Sequence, residues 1–200
     1  MDPARARTIA LIKRIGPFDD VERAHRSTAL AWAMSDAPLW RVAKPDVPPR
    51  HLVSYVALVD AEASALLLVA HRLAGLWLPA GGHVDVGEDP LSAACREAEE
   101  ELGVAIRMVA GAQPMFVTIT ETVNVGTDEG HTDVSLWFAC EQAPGQAIAF
   151  DGSEFDEVRW WSFDEILAAD PSLFDPHLGR FVAKLAHRES RNSGGTDGKR

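Results

Sequence analysis

Short apolar runs and helical spacings alternate along the chain. Residues 52–59 and 65–70 are nearly continuous hydrophobic stretches separated by five mostly polar or small residues, a pattern that predicts two paired strands with a turn between them. Residues 104–109 and 115–120 also read as strands, with Gly111 and Pro114 marking their connection. Residues 131–140 alternate, with Val134, Leu136 and Phe138 on one face and Asp133, Ser135 and Trp137 on the other. A Trp-containing strand over 158–161 precedes closing helices over 163–167 and 178–187. Ahead of all this, residues 8–15 and 20–35 predict helices, the second capped by Asp19 or Asp20 and carrying Val21, Ala24, Thr28, Ala31 and Trp32 at helical spacing. Pro38, Pro45, Pro48 and Pro49 then interrupt regular structure. The chain thus divides into a helical arm and linker (1–49), a main domain (50–188) and a tail (189–200) with almost no apolar content, expected to be disordered.

The most informative segment is the helix predicted over 90–102. Asp89 suits the N-cap, Pro90 the first helical position, and Gly103 the left-handed residue that closes a helix. Leu91, Ala94, Cys95, Ala98 and Leu102 form an apolar stripe, and Glu97, Glu100 and Glu101 stand at i, i+3 and i+4 on another side. Two carboxylates about 4 Å apart repel by roughly 4 kcal/mol at an effective dielectric near 20, and the C-terminal end of a helix dipole adds to the penalty. A bound cation reverses that sign. Carboxylates without His or Cys neighbours suit a hard ion, Mg²⁺ or Mn²⁺, whereas a solvated acidic face is the competing reading.

The surrounding residues favour the ion. Gly82, five residues, Glu88, seven residues, then Arg96-Glu97-Ala98, one residue, Glu100-Glu101, one residue, and Gly103-Val104 resemble a complete Nudix box. The resemblance extends more weakly over about residues 50–170. It implies an α/β/α sandwich with a mixed sheet, here with an N-terminal helical extension, and Mg²⁺-dependent hydrolysis of a nucleoside diphosphate linked to another moiety. It also implies metal on the box helix, with Glu101 or Glu100 as leading ligand and Glu97 helping to polarise water. The carbonyl of Gly81 is a candidate further ligand. Arg96 is expected to orient a carboxylate, pairing with Glu88 or Glu97, and Glu88 and Gly82 to support the site from behind. Residues 154–167 resemble the end of a Nudix domain, which makes Glu154 a candidate metal ligand or general base, with Asp156 and Glu157 as competitors.

Composition narrows the partners. A formal net charge of −11 argues against polymeric nucleic acid and against an anionic membrane surface, but permits a small diphosphate substrate. No secretory or transmembrane run is apparent, so cytoplasmic residence is the default expectation. Cys95 and Cys140 lack ligand spacing and read as small buried residues. His25, Arg41, His71 and Arg72 are expected at the surface. His131 has no evident partner for proton transfer, and Trp77, Trp137, Trp160 and Phe116 read as core before base-stacking groups. The arm has three open roles: covering a strand edge, shaping the pocket, or packing on a second subunit in a homodimer. Two other classes compete. An isomerase of related fold needs a Cys in a strand motif that is missing here, and a silent binding module would commonly lack box glutamates. Pro114 lies too near the box for an ADP-ribose-type pattern.

Overall fold

A computed structural model of the chain describes residues 2–44, 46–106, 112–122, 130–142, 148–150 and 152–193. Helix α1 (Pro3–Arg14) is capped by Asp2 and α2 (Asp20–Met34) by Asp19, whose carboxylate accepts from the Glu22 N–H. The inward face of α2 differs from the expected stripe. Glu22, Ala29, Trp32 and Ala33 are buried, while Val21 is exposed. The apolar spacing misleads because a charged residue occupies a core-facing position: the Glu22 carboxylate is fully buried, 2.6 Å from Lys184 Nζ.

The centre is β1 (Arg50–Asp60), followed by β2 (Ala65–His71), β3 (Leu76–Leu78) and β4 (Ala80–His83). β1 pairs in parallel with β6 (Thr132–Glu141) along one side. On its other side it pairs antiparallel with β4 through Val53–Val56 and with β2 through Leu58–Asp60. β2 continues to β3 and to β7 (Phe155–Ser162), and β6 pairs antiparallel with the edge strand β5 (Phe116–Glu121). The result is a seven-stranded mixed sheet.

Both faces of this sheet are covered, which is why β1 and β2 read as hydrophobic runs and not as strict alternations. Leu52, Val56 and Leu58 of β1, Leu67 and Val69 of β2, and Val134, Leu136 and Phe138 of β6 pack on one side with α1, α2 and α3 (Pro90–Leu102). Ala57, Val59, Leu66, Leu68 and Trp137 pack on the other with α4 (Phe163–Ala168) and α5 (Leu178–Ser193). The period-2 side-chain geometry of strands thus divides one chain between two cores.

The arm lies across the edge. His25 Nδ1 of α2 accepts the Ile119 N–H of β5 at 3.3 Å, taking up a backbone donor on the outer strand. Arg180 and Lys184 of α5 reach Asp19 and Glu22, and Arg7 of α1 pairs with Asp89 at 3.0 Å. The expected strand over 104–109 is not formed at Val104–Ile106, and its remainder lies outside the described residues. The turn that Ala143-Pro144-Gly145-Gln146 predicts and most of the polar loop predicted over 121–130 also lie outside them. α5 runs to Ser193, five residues into the segment expected to be disordered. Among the described residues no helix is long and apolar enough to cross a membrane.

Candidate active site

Helix α3 has the predicted bounds. Asp89 accepts the Leu91 N–H, Pro90 opens the first turn, and Gly103 at φ 63° closes it. Ala93, Ala94, Ala98 and Leu102 anchor it to the sheet. Cys95 is only half-buried, as is Cys140, because each sits at the margin of the packed face.

Glu97, Glu100 and Glu101 of α3 converge with Glu154, on the turn before β7, around one small pocket. They are not equivalent. The Glu100 side chain is 60% exposed, that of Glu97 only 14%, and Glu101 is buried. Glu101 Oε2 accepts the Gly81 N–H at 2.9 Å. Burial first, and then the negative charges of Glu97, Glu154 and Glu100, push its carboxyl up to about 8 despite that bond. Glu97 is raised in the same direction, chiefly by burial. Glu154 is thus close enough to act on Glu101. Its competitor Asp156 is paired with Arg72 at 2.8 Å, and Glu157 faces solvent.

Arg96 organises the carboxylates. Its Nε and Nη2 form a fork on the two oxygens of Glu88 at 3.1 and 3.0 Å, and Nη1 donates to Glu97 at 2.8 Å and Glu100 at 3.1 Å. Nη2 also donates to the His83 carbonyl, tying α3 to the end of β4. Burial opposes the charge on Glu88, but Arg96 and the Asp85 N–H outweigh it and hold that carboxyl below its ordinary range. Arg96 itself is held charged by the Glu88 and Glu97 carboxylates, against burial.

Two glycines set the spacing between β4 and α3. Gly81 has φ 148°, and a Cβ there would stand 2.3 Å from the Ser54 carbonyl oxygen. A Cβ on Gly82 would meet the Glu97 carboxylate at 2.8 Å. The bare backbone is therefore what lets that carboxylate lie against β4.

Other residues settle elsewhere. Trp137 and Phe116 are fully buried, with Trp137 Nε1 donating to Thr118, so neither is open to stack a base. Trp77 packs edge-on against Trp161 at 5.2 Å. His71 accepts the Ala74 N–H, and Arg41 lies 3.4 Å from Asp46. His131 has partners the sequence did not reveal: Asp133 at 3.3 Å and Asp46 at 3.2 Å, which raise its pKa. Burial, Arg41 and His51 press the neighbouring His83 down to about 4.

The donor set fits a hard dication: four carboxylates around one pocket, one of them raised by burial and by its negative neighbours.

Comparison with known proteins agrees. Residues 49–185 match the family model of the NUDIX domain. The chain is 30% identical over 142 residues to an RNA pyrophosphohydrolase of Rhodospirillum rubrum, covering 66% of this chain and 85% of that one. It is 32% identical over 148 residues to an RNA pyrophosphohydrolase of Bartonella quintana, covering 66% and 76%. In structure it is similar to the E. coli dihydroneopterin triphosphate pyrophosphohydrolase, with TM-score 0.55 at 14% identity over 76% of this chain and 99% of that one. The MutT protein of Methanosarcina mazei Go1 has TM-score 0.52 at 18% identity, over 72% and 96%. With the box helix, the glycines of β4 and the sandwiched mixed sheet all in place, the chain belongs to the Nudix family of hydrolases, enzymes acting on phosphoric anhydrides.

Proposed function

We propose that the chain is an Mg²⁺-dependent pyrophosphohydrolase, with Mn²⁺ able to substitute, that cleaves the diphosphate bond of a nucleoside diphosphate linked to another moiety. The observation that carries this reading is the convergence of Glu97, Glu100, Glu101 and Glu154 on one pocket. Glu101, Glu100 and Glu97 would hold the cation, with Glu154 as a further ligand or as the base. The Gly81 carbonyl is the remaining candidate donor, its N–H already fixing Glu101. When bound, such an ion neutralises the carboxylates, polarises phosphoryl oxygens and makes water more acidic.

The chain's own residues do the positioning. Arg96 holds Glu97 and Glu100 through one nitrogen while Glu88 holds Arg96 through a fork, so both carboxylates are oriented before substrate arrives. Without the ion, burial and the neighbouring carboxylates hold the Glu97 and Glu101 carboxyls above their ordinary range, a penalty that a bound cation would relieve.

The acidity of the whole chain favours a small substrate over a nucleic-acid backbone, because a polyanion would approach a formal charge of −11. The test is a panel of sugar nucleotides, dinucleoside polyphosphates, NADH, nucleoside triphosphates and a short 5′-triphosphorylated RNA, assayed with Mg²⁺ and with EDTA. Cleavage at a diphosphate bond that EDTA abolishes is the expected result. Binding of a panel member without cleavage in any metal would make the domain a silent binding module and overturn the proposal. Glu101→Gln is expected to lower turnover by about 100-fold or more with the fold intact by circular dichroism.

A further inference from the structure

Three histidines that the Nudix chemistry does not use meet where β1, β4 and β6 come together. His51 is in β1, His83 ends β4, and His131 immediately precedes β6. Asp46, from the linker that leads out of the helical arm, joins them. One ligand atom from each of the four lies within 4.8 Å of the others. The rings are close: His51 lies 4.7 Å from His83 and 5.0 Å from His131, centroid to centroid.

The hydrogen bonding of this group is incomplete. His51 is fully buried, and its Nδ1 lies 2.9 Å from the Pro48 carbonyl, which can only accept. Nδ1 therefore carries a proton, and Nε2 is the nitrogen turned into the cluster. There it faces Asp133 Oδ1 at 3.2 Å, and that same oxygen stands 3.3 Å from His131 Nε2. Neither His51 Nε2 nor Asp133 Oδ1 has an aligned hydrogen bond among the described residues, and His83 Nε2 is likewise buried without one. A lone pair that faces a carboxylate oxygen in a buried site repels it, and a cation between them, a proton or a metal ion, relieves that repulsion.

We propose that Asp46, His51, His83 and His131 form a second metal site, separate from the glutamate pocket, for a transition-metal dication of the zinc class. Three imidazoles exclude a magnesium-type preference and suit zinc, cobalt or nickel. In a tetrahedral site, donors about 2.1 Å from the ion stand about 3.4 Å apart, so a spread of up to 4.8 Å closes when the side chains move inward by about an ångström. The Pro48 carbonyl is the outer partner that fixes the His51 tautomer, as ligating histidines require. Arg41 takes the other oxygen of Asp46, at 3.4 Å from Oδ1, and leaves Oδ2 beside His131. Asp133 supplies the second negative charge. The ion would tie the arm's linker to three strands and steady the end of β4, whose His83 carbonyl receives Arg96.

The experiment uses the untagged full-length chain, stripped with EDTA and returned to excess Mg²⁺, which occupies the carboxylate pocket. Titration with Co²⁺ is expected to give one equivalent with visible ligand-field absorption, displaced by Zn²⁺ and retained in Glu101→Gln. His131→Gln and Asp46→Asn should weaken Co²⁺ at least tenfold. In the unaltered protein, Zn²⁺ should move the imidazole ¹⁵N resonances of His51, His83 and His131 and leave those of His25, His71, His177 and His187 in place. Absence of any Co²⁺ or Zn²⁺ uptake would show that the cluster holds only protons and would overturn the proposal. So would uptake that shifts none of the three rings.

Discussion

Gly81 and Gly82 are adjacent, yet their substitution should read out differently. In Gly81→Ala the new carbon meets fixed backbone at Ser54, in a conformation that L residues rarely adopt, so stability should fall by more than about 2 kcal/mol in chemical denaturation. In Gly82→Ala it meets only the end of Glu97. That side chain can move, so stability should change little while turnover falls at least tenfold. Glu101 allows a test by pH. Its folded pKa, about 8 against an ordinary 4.5, means that the folded chain keeps a proton the unfolded chain has released. Without added cation, stability from this group is present at low pH and lost as pH rises through about 8. His83 and His177, both near 4, act with the opposite sign below 6.5, so the fall is clearest between 6.5 and 8. Thermal unfolding in EDTA should follow this trend more steeply in the unaltered chain than in Glu101→Gln. Added Mg²⁺ should flatten it by displacing the proton. Equal slopes for the two proteins would remove Glu101 as the source.

Among the elements, α3 follows from local chemistry alone, and its observed bounds, Pro90–Leu102, are the predicted ones. A cap, a proline and a left-handed glycine act within a turn of where they stand. Helix α2 shows the limit of the same method. Its inward face carries Glu22, whose burial is made tolerable by the local Phe18 N–H and by Lys184 on α5, 162 residues later. Lys184→Met would leave the carboxylate buried and unpaired, at a cost of about 3 kcal/mol by urea denaturation. Pairing it with Glu22→Gln should recover a large part of that loss. A single-variant cost below about 1 kcal/mol would mean that water reaches Glu22 in the folded chain.

At the scale of the whole molecule, the arm is part of the packing. Leu11, Ile12, Ala29, Ala33 and Leu39 are fully buried in the same cluster as Leu52, Val117 and Leu136 of the sheet. A chain lacking residues 1–38 should therefore expose one apolar face and the β5 edge. It should self-associate in size-exclusion chromatography and lose a cooperative unfolding transition, whereas a monomer with intact turnover would mean the arm is dispensable.

By itself, the sequence determined what depends on near neighbours: the bounds of α3, the spacing of its glutamates, and the two faces of β6. These are set by helix and strand periodicity and need no knowledge of where the rest of the chain goes. Only the tertiary structure decided what depends on segments far apart. It brought Glu154 rather than Asp156 to the glutamate pocket, because Arg72 claims Asp156. It laid the arm along β5, and it gathered Asp46, His51, His83 and His131 from four separate stretches. The physical reason is that strand pairing and ion pairing join residues regardless of their distance along the chain, so no spacing pattern records them.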